Sequence, residues 1–144
     1  MDEKLVGTWR LTDYEYLRSD GERLWPFGQS AVGVITYTDK GFMSVQIMDS
    51  ERPTFSSDNC WRATLAEMAA AFEGYLAYFG TYDVNNAEEF ITHHIQGSLC
   101  PKYSGTDQIR YFKIEGERLT LRTPSLPAGD QTITGRLIWE RVTT

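Results

Sequence analysis

The sequence predicts a mainly β protein: one domain over residues 1–144, folded as an eight-stranded antiparallel up-and-down barrel with a single helix of about residues 64–79 between strands 3 and 4. Three observations predict it. Eight short β-favouring segments are separated by turn-forming Gly, Asn, Asp and Pro residues. Apolar residues recur at helical spacing in one place only. Aromatic residues make up 13% of the chain, and flat side chains pack well on a pleated surface. Sequential strands joined by short turns form a meander, and closure into a barrel removes its edges; eight strands leave room for one small ligand.

The first strand, residues 5–17, stops at Ser19-Asp20-Gly21, where Gly tolerates positive φ and Asp hydrogen-bonds its own backbone. Trp25-Pro26-Phe27-Gly28 interrupts regular structure before the second strand, 32–38. Asp39-Lys40-Gly41 turns that strand into the third, 42–48, as a short hairpin. Residues 49–59 are polar and contain Arg52-Pro53, a loop long enough to serve as a lid. In the helix, Leu65, Met68, Ala69, Phe72, Leu76 and Phe79 fall three or four residues apart. Thr64 and Glu67 form a capping box, and Gly80 supplies the stop. Gly74 inside it costs about 1 kcal/mol relative to Ala, which predicts that another backbone or a ligand approaches there. The remaining strands are 81–84, 90–96, 108–114, 118–123 and 131–142, separated by Asn85-Asn86, Glu115-Gly116 and a 124–129 loop.

The formal charge of −6 and pI near 4.9 repel a phosphate backbone, and the basic residues are scattered singly, so no nucleic-acid partner is expected. No run approaches the ~18 apolar residues of a membrane span, and the N-terminus lacks a signal-peptide pattern. The expectation is a cytoplasmic chain without a membrane partner; a homodimer is compatible with the sequence. Cys60 and Cys100 have neither metal-ligand spacing nor a secretory context and read as free thiols.

Several stretches carry a resemblance. Gly7-Thr8-Trp9 matches a G-x-W barrel opening, and Leu137-Ile138-Trp139-Glu140-Arg141-Val142 looks like a closing strand. Between them lie Tyr37-Thr38 with Gly41-Phe42-Met43-Ser44, then Gly74 through Tyr82, then His93-His94, Gly97-Ser98-Leu99, Pro101, Gly105-Thr106, Gln108 and Arg110. Together these span nearly the whole chain and resemble the lipocalin-like domain family, small barrels similar to lipocalins and fatty-acid-binding proteins. The resemblance implies a ligand inside the barrel and a floor in which an arginine, Arg141 first and Arg136 second, packs over Trp9. Two features depart from lipocalins proper. The helix lies mid-chain, and Thr12-Asp13-Tyr14 sits on the first strand instead of a far hairpin.

Alternation decides which polar groups reach the interior. The apolar parity of strand 90–96, carried by Ile91 and Ile95, places His93 inward and His94 outward. The parity of Phe112 and Ile114 carries Gln108 and Arg110 inward. Two readings stand side by side. In one, His93 moves a proton and Arg110 holds an oxyanion or carbonyl, making these two the catalytic candidates with Gln108 binding ligand. In the other, Arg110 pairs with a buried acid such as Glu15 or Glu140, and His93 completes a hydrogen-bond network. Tyr78 and Tyr82, at the end of the predicted helix, are ligand-binding candidates or core. Ser44 and Gln46 line the ligand or face solvent, since Met43, Val45 and Ile47 make the more apolar face of their strand. No metal is expected, because His93 and His94 point to opposite faces and no third histidine exists. No cofactor is expected either.

The functional expectation is a hydrophobic small molecule bound in the barrel and rearranged without a cofactor, by isomerisation, cyclisation or dehydration. The alternative is a non-catalytic binding or carrier protein; a filled interior would instead mark an interaction domain.

Overall fold

Burial alternates along the long strands, and this alternation sorts the chain into an apolar inner face and a polar outer one. The computed structural model describes residues 3–143; residues 1, 2 and 144 of the expected domain lie outside the described residues. In chain order the elements are β1 (Gly7–Arg18), β2 (Arg23–Leu24), β3 (Val32–Tyr37), β4 (Phe42–Met48), α1 (Leu65–Glu73), β5 (Tyr75–Asn85), β6 (Phe90–Ser98), β7 (Asp107–Glu115), β8 (Arg118–Arg122), β9 (Leu126–Ala128) and β10 (Gln131–Arg141).

Eight of these strands pair antiparallel in the ring β1-β3-β4-β5-β6-β7-β8-β10, and β10 returns to β1 to close the barrel. The short β2 and β9 are additions paired to β1 and β10. Two or three residues show no period, so segments of that length carry no strand signal. Because β2 precedes it, the helix follows the fourth strand of the chain and not the third.

The helix is also shorter than its apolar spacing predicts. Thr64 caps it and Glu67 answers with its side chain, completing the capping box, but Gly74 ends it, its N–H bonding back to Ala70. Tyr75 to Phe79 then belong to β5, where Leu76 and Tyr78 face inward by period two. Leu76 and Phe79 satisfy both a helical and a strand pattern, and the aromatic run favours the strand. The approach expected at Gly74 is made by the Arg52 side chain, which lies where a Cβ would stand. Gly80 is no helix stop: it sits inside β5, opposite a register shift with β6, and a Cβ there would collide with the His94 carbonyl oxygen.

Inside the ring, Trp9, Leu11, Ile35, Ile91, Leu119 and Trp139 are among the buried apolar residues of one core. A register shift between Leu11 and Asp13 in β1 changes the inward parity, so Tyr14 and Tyr16 join Trp9 and Leu11 in the interior. Glu15, turned the other way, is fully buried between Arg23 and Arg136 on the outside of the barrel. No helix among the described residues is long and apolar enough to cross a membrane.

Candidate functional site

The barrel encloses a cavity of about 490 Å³ whose wall is mostly apolar. Ile35, Val45, Ile47, Ile95, Leu121 and Leu137 supply its middle. Fully buried Trp139 stands toward the closed end, while Phe72 of α1, Tyr103 and Leu126 line it and are exposed, which marks them as its mouth.

His93 occupies the wall at 1% exposure. Its Nε2 is 2.7 Å from the Tyr37 hydroxyl and its Nδ1 is 2.8 Å from the Tyr78 hydroxyl, so both ring nitrogens are engaged. Burial, with the Arg110 charge second, lowers its pKa to about 3, and the imidazole is neutral at ordinary pH. The same burial pushes the Tyr37 and Tyr78 hydroxyls up from their usual value, against which Arg110 pulls in both cases. These two residues come from β3 and β5, so the Tyr37–His93–Tyr78 chain ties together side chains of β3, β6 and β5 on one arc of the barrel.

Arg110 and Gln108 lie beside it, set by the β6–β7 register of Ile91 opposite Arg110 and His93 opposite Gln108. Arg110 donates to the Ile109 carbonyl at 2.8 Å and also hydrogen-bonds the Tyr78 hydroxyl. Gln108 donates to the Thr106 hydroxyl. Among the described residues no carboxylate forms an ion pair with Arg110: Glu15, the acid nominated from sequence, is taken by Arg23 and Arg136, and Glu140 is exposed. Trp139 Nε1 is also buried and has no hydrogen-bond partner among the described residues.

Other candidates fall elsewhere. Ser44 and Gln46 do not line the cavity. Met43, Val45 and Ile47 fill the inner face of β4, and period two turns Ser44 and Gln46 to the outer one. Tyr82 is buried below the cavity against the Tyr37 ring, and its hydroxyl donates to the Thr38 carbonyl. At the floor, the Arg141 guanidinium lies 4.2 Å from the Trp9 ring centroid and donates to the Val6 and Lys4 carbonyls, while Trp9 donates to Leu5. Arg136 is on the outside of the barrel with Glu15. His94, outward as expected, is held between Asp107 at 2.8 Å and Asp83 at 2.7 Å. Both cysteines are free; Cys60 is exposed and Cys100 lines the cavity.

Sequence reasoning missed Tyr37 and Tyr14 as parts of the site. Tyr37 was legible, because it shares the inward parity of Ile35; Tyr14 was not, because the register shift in β1 reverses its parity.

Residues 6–142 match the family model of the lipocalin-like domain. The chain is also 32% identical over 87 residues to a 4'-hydroxy-3'-methoxypropiophenone carrier protein of Aspergillus oryzae, a match that covers 56% of this chain and 78% of the relative. No solved structure matches the chain.

Proposed function

The chain belongs to the lipocalin-like domain family, and from that premise we propose that it is a non-catalytic binding or carrier protein for a small, largely apolar molecule held inside the barrel. The observation that carries this reading is the apolar cavity of about 490 Å³, within the size range of small-molecule pockets. In the same reading Arg110, Gln108 and Tyr78 receive the polar end of the ligand. The relative named as a carrier of an aryl ketone supports binding over turnover and supplies a first ligand to try.

A cofactor-free rearrangement would need His93 to exchange a proton with the ligand. Both nitrogens of this imidazole are already bonded to tyrosines, and its pKa lies near 3, so it is a poor base at neutral pH. In the proposed function His93 is the post on which the two tyrosine hydroxyls are fixed.

The test is a thermal-shift and tryptophan-fluorescence titration with 4'-hydroxy-3'-methoxypropiophenone, with a long-chain fatty acid as the contrasting apolar ligand. Binding to the folded state alone raises stability by about 2.7 kcal/mol at a ligand concentration near 100 Kd. Ile95→Trp, which grows into the cavity, should abolish the shift while the circular dichroism spectrum stays that of a folded barrel. Absence of any shift with either ligand, or recovery of chemically altered ligand by mass spectrometry, would overturn the proposal.

A further inference from the structure

We propose that the cavity takes its ligand as an anion: a small apolar or aromatic molecule with one ionised oxygen, whether phenolate, enolate or carboxylate, seated on the Arg110 guanidinium and the Tyr78 hydroxyl. This rests on the reading of the barrel as a binding protein and goes further by fixing the ligand's charge.

The first ground is charge. Arg110 is half-buried in the cavity wall, and its field reaches Tyr14, Tyr37, Tyr78 and His93 on β1, β3, β5 and β6. Among the described residues the cavity wall also carries the titratable groups of Tyr16, Tyr75, Cys100 and Tyr103, none of them a carboxylate. Two carboxylates reach the cavity wall, but Asp107 is bonded to His94 and Glu73 is exposed at the end of α1. A cation removed from water without an acidic partner is costly, and an anionic ligand removes that cost, whereas a neutral carbonyl only accepts a hydrogen bond.

The second ground is the direction of the hydrogen bonds. Among the described residues the Tyr37 hydroxyl has His93 Nε2 as its hydrogen-bond partner. A neutral imidazole has one donor and one acceptor nitrogen. If Nε2 carried the proton, the Tyr37 hydroxyl hydrogen would be buried with no acceptor. The arrangement that leaves no such orphan has Tyr37 donating to Nε2 and Nδ1–H donating to Tyr78. The Tyr78 oxygen then receives His93 and Arg110, and its own hydrogen is free to point into the cavity that Tyr78 lines. A guanidinium and a hydroxyl donor therefore converge at one place, while the surrounding wall is apolar.

The proposal has an opposite-signed rival that a single measurement separates. An apolar cavity without a usable charge raises the pKa of a bound phenol, whereas an unpaired arginine lowers it. The probes are 4-nitrophenol, whose phenolate absorbs in the visible, and 4-nitroanisole, its neutral methyl ether. With the full chain in excess, the ionisation midpoint of bound 4-nitrophenol should fall by about one unit or more below its value in buffer, a preference for the anion of about tenfold or more. 4-Nitroanisole should bind at least about tenfold more weakly than the phenolate. Arg110→Gln should return the midpoint to the buffer value or above it, and Tyr78→Phe should remove part of the shift. The wild-type titration needs neither variant to fold. A midpoint at or above the buffer value, or 4-nitroanisole bound as tightly as the phenolate, overturns the anion proposal and leaves the apolar-ligand reading standing. Failure of both probes, of the propiophenone and of the fatty acid to bind overturns both.

Discussion

At the scale of single residues, two adjacent histidines have opposite surroundings because neighbouring positions on a strand face opposite sides of the sheet. His93 is buried and its folded pKa is lowered to about 3; His94 is outside, and hydrogen bonds to Asp107 first and Asp83 second hold its pKa above the usual 6.5. The signs of their pH linkage differ accordingly. Below 6.5 the unfolded chain protonates His93 while the folded chain does not until near 3, so its contribution to stability falls as pH drops through that window. The contribution of His94 is complete below 6.5 and is lost as pH rises through its raised folded value. In an NMR titration the His93 ring signals should stay unchanged from about pH 8 down to about pH 5, while those of His94 shift with a midpoint above 6.5. A His93 midpoint near the ordinary value would mean that the imidazole is not enclosed by the two tyrosines. That His93 faces inward was legible from Ile91 and Ile95; that both its nitrogens are occupied was not, since Tyr37 and Tyr78 lie far off in sequence.

At the scale of elements, two glycines that look alike in the sequence act differently. Gly74 ends α1 with negative φ, and what a Cβ would meet is the flexible Arg52 side chain, which also lies over the Tyr75 ring. Gly80 is in mid-strand, and what a Cβ would meet there is the backbone of β6. Gly74→Ala should therefore cost under about 1 kcal/mol, Arg52 swinging aside, whereas Gly80→Ala should cost about 2–4 kcal/mol because two paired strands must separate. Urea unfolding of the two variants checks the order; equal losses would show that β5 and β6 can part at their register shift without strain. The start of α1 was written locally, in Thr64 and Glu67, and the structure keeps it. Its end was not, because Leu76 and Phe79 fit two periods and only the pairing of β5 with β4 selects one.

At the scale of the whole molecule, the ring closes where β1 pairs with β10, and the floor is sealed there by Arg141 over Trp9. The guanidinium stacks on the indole and donates to two main-chain carbonyls, of Val6 and Lys4, that precede β1. Arg141→Ala should lower stability by about 1–3 kcal/mol, and Arg141→Lys should recover little of it, since an ammonium lacks the planar fork that reaches both carbonyls while lying flat on the ring. Denaturant unfolding followed by tryptophan fluorescence reads the effect, and full recovery by lysine would show that charge alone closes the floor. Closure matters for function because a barrel sealed at the floor and lined by apolar residues leaves a ligand the route past the exposed Phe72, Tyr103 and Leu126.

The sequence alone determined the ring of eight antiparallel strands, the inward turn of His93 and the capped start of one helix. Each depends on the period of neighbouring residues or on a local cap, and both are properties of a short stretch of chain. Only the tertiary structure decided where the helix stops, that Ser44 and Gln46 face outward, that Tyr14 faces inward past a register shift, and that Glu15 belongs to Arg23 and Arg136 and not to Arg110. These depend on which strands lie side by side and in what register, and partners more than a hundred residues apart, such as Glu15 and Arg136, leave no local pattern to read.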